Sequence, residues 1–87
     1  MAFNIVYKSS VERDLKKLAK PDASRILAPV EEELSKKADA YPVLKGPFAG
    51  LRRCRIGDWR VIFAILGGDV LVLRIGHRRE VYKKAVQ

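Results

Sequence analysis

At Leu51 the hydrophobic period of the chain changes, and that change limits the fold more than any other feature. Before it, apolar residues recur at helical intervals; after it they alternate. Residues 51–56 predict one strand and Gly57-Asp58 a turn. Residues 59–66 predict a second strand, Gly67-Gly68-Asp69 a second turn, and residues 70–76 a third strand. Two consecutive tight turns make an antiparallel meander. In the middle strand, Trp59, Val61, Phe63 and Ile65 share one face, and Arg60, Ile62, Ala64 and Leu66 share the other. Both faces are largely apolar beyond the first residues, which predicts a central strand covered on both sides.

The first half supplies the cover. Phe3, Ile5 and Tyr7 alternate and predict a first strand. Ser9 and Glu12 have capping-box spacing, and Val11, Leu15 and Leu18 follow at helical intervals. Glu12, Arg13, Asp14, Lys16 and Lys17 fill the opposite, charged face, and the helix is expected to end near Lys20. Pro21 opens a second helix striped by Ile26, Leu27, Val30 and Leu34. Pro29 inside that stripe predicts a kink or restart, which would place Glu31, Glu32 and Glu33 in a first turn. Pro42, Gly46, Pro47 and Gly50 mark a loop. The expected architecture is α+β: one domain over residues 1–87, with a small antiparallel sheet of about four strands packed against two N-terminal helices.

Several chemistries are excluded at this stage. The single cysteine, Cys54, makes no internal disulfide; with one histidine, His77, it offers too few soft ligands for structural zinc. Cys54 alternates inward and reads as a buried small hydrophobe. No apolar run reaches the length of a membrane helix, and the N-terminus lacks the pattern of a signal peptide. The expected setting is cytoplasmic, with no metal, no cofactor and no membrane partner.

Charge points to a partner. The chain carries a formal net charge of +8; residues 1–44 contribute +1 and residues 45–87 contribute +7. Alternation places Arg53 and Arg55 on one strand face, opposite Cys54 and Ile56. In a meander, Arg60 opens the second strand beside Arg55, and the turn at His77, Arg78 and Arg79 falls at the same sheet end. Such a cluster repels itself unless a polyanion fills it, and arginine grips phosphate with a planar two-bond fork. The alternative is that these arginines hydrate the sheet edge, with Asp58 and Glu80 near enough in sequence to pair with some of them. Trp59 is large enough to stack on a base, but its apolar face-mates favour a core role.

Three segments together resemble the RelE/ParE toxins. They are Leu44-Lys45-Gly46, then Arg53-Cys54-Arg55-Ile56-Gly57-Asp58-Trp59-Arg60-Val61-Ile62-Phe63, then residues 72–82 with the ending Gly76-His77-Arg78-Arg79-Glu80-Val81-Tyr82. The resemblance covers nearly the whole chain. It implies a ribosome-dependent endoribonuclease that cuts messenger RNA in the ribosomal A site without a metal. It also implies a cognate antitoxin, whose acidic segment would fold on contact with the basic surface. Arg53 and Arg55 match the substrate-binding positions, with Lys45 and Arg79 as further RNA contacts. Arg60 and Arg78 match the arginines that steady the scissile phosphate, and Tyr82 matches the tyrosine of acid/base chemistry. Where the best-known site carries lysines, this chain carries arginines, which are poor bases. Proton transfer would then pass to Tyr82 or His77. Two other readings share the fold: a ParE-type inhibitor of DNA gyrase, and a non-catalytic RNA-binding module.

Overall fold

The computed structural model of the protein describes residues 2–18 and 20–77. The elements run β1 (Asn4–Tyr7), α1 (Ser9–Lys16), α2 (Lys20–Lys37), β2 (Arg52–Ile56), β3 (Trp59–Leu66) and β4 (Asp69–His77), with short 3-10 turns at Ala38–Ala40 and Gly46–Phe48. The expected α+β plan, two helices on a sheet of four strands, is the one the chain adopts. The sheet order is β1-β4-β3-β2. The meander β2-β3-β4 is antiparallel, while β1 joins β4 in parallel, so the sheet is mixed rather than purely antiparallel. A parallel neighbour needs a long crossover; here both helices and two strands intervene between β1 and β4.

Both tight turns close as the glycines require. Ile56 pairs with Trp59 around Gly57 (φ 59°), and Leu66 pairs with Asp69 around Gly67 (φ 62°). Positive φ at these points is what a two-residue hairpin with the right twist demands. Val61 and Phe63 of β3, Cys54 of β2, and Val70, Val72 and Ile75 of β4 face the helices. Val11 of α1 and Ile26, Val30 and Leu34 of α2 complete this core. Ile62 is equally buried but points to the opposite face, opposite Arg53 and Arg74. β3 is the interior strand of the sheet, but its second face is covered only in part: Arg60 and Ile62 are buried, whereas Leu66 is 59% exposed.

Several local expectations change. Lys8, in extended conformation (φ −71°, ψ 153°), is the N-cap of α1, and no side chain caps the helix. Ser9 already lies inside the first turn, so the capping box with Glu12 does not form. Helix α1 ends at Lys16 rather than near Lys20, and α2 begins at Lys20 with Pro21 second. Pro29 does not restart α2, which runs as one helix from Lys20 to Lys37. The carbonyl that loses its partner is that of Arg25, an exposed residue, where solvent is at hand. Glu31–Glu33 consequently sit mid-helix, and Glu31 and Glu33 serve as ties. Tyr7 Oη donates to Glu31 Oε1 (2.9 Å), and Tyr41 Oη donates to Glu33 Oε2 (3.1 Å).

Candidate nucleic-acid interface

The face of the sheet turned away from the helices gathers the arginines. Register places Arg55 directly opposite Arg60, and Arg53 opposite Ile62, which in turn faces Arg74. Directly opposed residues have Cβ atoms about 5 Å apart, and like charges so placed repel. Gly76 is the residue of β4 opposite Arg60. Arg55 is exposed, Arg53 is half-buried, and Arg60 is only 8% exposed.

Arg60 folds back onto its own turn. Its Nη1 donates to the carbonyl oxygens of Gly57 (2.9 Å) and Trp59 (3.0 Å). These bonds fix the guanidinium without cancelling its charge. Among the described residues Arg60 forms no ion pair, and neither does Asp58, the nearby carboxylate that the sequence offered as a partner. The result is a held cation beside an exposed one.

The remaining candidates divide. His77 pairs with Trp59, so it projects to the helix side of the sheet, away from Arg60. The two rings meet edge to face at 5.9 Å and 84°. His77 shares the expected sheet end with Arg55 and Arg60 but not their face, because alternation sends adjacent residues to opposite sides. Trp59 is half-buried against the core, consistent with its apolar face-mates. Lys45 is exposed in the loop leading into β2, at the strand end remote from the Arg55–Arg60 pair, as the Val43–Arg52 bridge shows. Arg78, Arg79 and Tyr82 lie outside the described residues.

Cys54 is 1% exposed, as its inward alternation implies. Burial pushes its thiol pKa up, against a smaller opposing effect of the Tyr41 hydroxyl. Burial, the Cys54 contact and Glu33 all push Tyr41 upward as well, and Tyr7 rises through burial and its bond to Glu31. Lys37, then Tyr41, holds the Glu33 carboxyl below its ordinary range.

Two functional-looking residues escaped the sequence reading. Arg52 caps the 3-10 turn, its Nη1 donating to the carbonyls of Asp39 (3.2 Å) and Tyr41. Asp14, assigned above to the charged face of α1, is 5% exposed and bonded to β4. Its spacing from Val11 and Leu18, three and four residues, was the available signal.

The family model for the ParE toxin of type II toxin–antitoxin systems matches residues 5–82. The chain belongs to the RelE/ParE toxin family. As a toxin of a type II system, it also matches solved relatives in fold. The toxin–antitoxin complex RelBE2 from Mycobacterium tuberculosis is 23% identical with a TM-score of 0.83, covering 90% of this chain and 93% of that one. The chromosomal ParDE system from P. aeruginosa is 17% identical, with a TM-score of 0.70 and coverages of 87% and 96%. The isolated E. coli RelE toxin is 20% identical, with a TM-score of 0.67 and coverages of 98% and 96%. No curated protein sequence matches the toxin. No helix among its described residues is long and apolar enough to cross a membrane.

Proposed function

We propose that this toxin is a metal-independent endoribonuclease that cleaves messenger RNA in the ribosomal A site. The observation that carries the reading is the opposed Arg55–Arg60 pair with Arg53 on the same face. A phosphate backbone carries the charge complementary to the opposed Arg55 and Arg60. Attack of a 2′-hydroxyl on the adjacent phosphate needs a base, an acid and fixed positive charge. Arg60, held by its turn carbonyls, and Arg78 supply the fixed charge. Arg53 and Arg55, with Lys45 and Arg79, hold the flanking strand. Proton transfer falls to Tyr82, since His77 faces the other side of the sheet. The partner that silences the toxin is a cognate antitoxin whose acidic segment covers the arginine face, in a cytoplasmic setting.

The test is message cleavage in a translating extract. Tyr82→Phe combined with Arg78→Ala is expected to abolish transcript cleavage and growth arrest; undiminished cleavage would remove this site from consideration. The match to a ParE model favours a second reading, inhibition of DNA gyrase. Loss of supercoiling by purified gyrase while messages stay intact would select it. Bound but uncut RNA would select a binding module.

A further inference from the structure

The outer edge of β4 is finished by a helix rather than by a strand. β1 pairs with β4 only from Asp69 to Val72. Beyond that point α1 lies along the edge and supplies its hydrogen bonds. The Lys8 N–H donates to the Val72 carbonyl (2.9 Å), and Ser10 Oγ donates to the Leu73 carbonyl (2.7 Å). One turn further on, Asp14 takes two donors at once. Its Oδ2 accepts the Ile75 N–H (3.1 Å) and its Oδ1 accepts Arg74 Nη1 (3.0 Å). Ser10 and Asp14 are four residues apart and so share one helix face.

The bulge makes this clamp matter for the arginine face. The register slips between Ile62 and Phe63, so Phe63 pairs with Val72 while Ile62 pairs with Arg74. Arg74 is thereby turned to the side of Arg53, which also pairs with Ile62. Its guanidinium is then drawn over the strand edge to Asp14, whose side chain is 2% exposed. The next residue anchored is Ile75, beside Gly76, which lies opposite Arg60.

We propose that Asp14 is a positioning residue for the arginine face, a role that rests on the nuclease reading above. One carboxylate oxygen fixes β4 where it backs Arg60. The other withdraws Arg74 from the surface that meets RNA, so the strand is bound by Arg53, Arg55 and Arg60 rather than by one arginine more. Asp14 thus sets both the alignment of the site and its phosphate count.

Variants separate the two roles. Asp14→Asn keeps an acceptor for the Ile75 N–H but releases Arg74. Its binding to a single-stranded RNA oligonucleotide should steepen with salt by about 0.7 in log K against log salt, one extra phosphate contact. Adding Arg74→Gln to Asp14→Asn should return the slope to wild type. Asp14→Ala loses both bonds and should lower kcat for message cleavage on programmed ribosomes by about tenfold to a hundredfold without raising KM. Exchange of the Ile75 amide should quicken in Asp14→Ala and stay near wild type in Asp14→Asn. An unchanged salt slope in Asp14→Asn overturns the proposal, as does an unchanged kcat in folded Asp14→Ala. If Asp14→Ala does not fold, the slope of Asp14→Asn and its reversal by Arg74→Gln decide. Arg55→Ala assayed alongside keeps the two claims apart. Wild-type cleavage by Arg55→Ala counts against the nuclease reading, whereas the oligonucleotide slope judges Asp14 whether or not the message is cut.

Discussion

Cys54 and Arg55 are chain neighbours on β2, and they live in different solvents. Cys54 is 1% exposed beneath the helices, whereas Arg55 stands in water opposite a second arginine. The alternation repeats along β3, where Val61 and Phe63 enter the core while Arg60 turns to the other face, itself only 8% exposed. One face is organised by removal of apolar surface from water, a large and non-directional gain. The other gathers like charges: Arg55 stands directly opposite Arg60, which is bonded to its own turn, and Arg74 is paired with Asp14.

The contrast can be broken hardest from the helix side. Phe63 is fully buried and meets Tyr41 edge to face at 6.0 Å. Phe63→Ala should cost about 3–5 kcal/mol, enough to unfold much of a chain this small, as read by thermal melting. Arg55→Ala should do the opposite on a smaller scale. Relieving the repulsion with Arg60 should raise stability by less than about 1 kcal/mol, while weakening RNA binding and flattening its salt slope. A melt that fell with Arg55→Ala would show that the arginine face holds the fold together.

The smallest effect sharpens the comparison through the tyrosines. Tyr7 and Tyr41 both have hydroxyl pKa values raised in the folded state. A raised value means the folded chain keeps its proton where the unfolded chain loses it. The stability tied to these groups is therefore full below the ordinary tyrosine value, about 10, and declines as pH rises beyond it. Tyr7→Phe and Tyr41→Phe should each blunt the alkaline loss of stability in melts taken above that pH. An unaltered alkaline profile in both would contradict the bonded, half-buried setting of these side chains.

Much of this was legible in the chain. The period-two runs and the glycines at 57 and 67 determine the meander, and the meander in turn determines that Arg55 meets Arg60. That inference is local: a two-residue turn sets the register of both strands it joins. Burial of Cys54 and the core role of Trp59 follow from the same alternation. Helix ends were less legible, because the signals at Ser9 and Pro29 compete with tertiary bonds. Ser10 is drawn to the Leu73 carbonyl, and the acids of α2 are drawn to Tyr7 and Tyr41.

Sequence by itself determined the layers, the turns and the arginine pair, since each arises from neighbours within a few residues. Only the tertiary structure decided that β1 lies parallel to β4, that the bulge turns Arg74 from the core side to the arginine side, and that Asp14 is buried to receive it. Those outcomes depend on groups about sixty residues apart in the chain. They are settled by which unpaired backbone groups along the edge of β4 must find partners once water is excluded, and no local spacing records that.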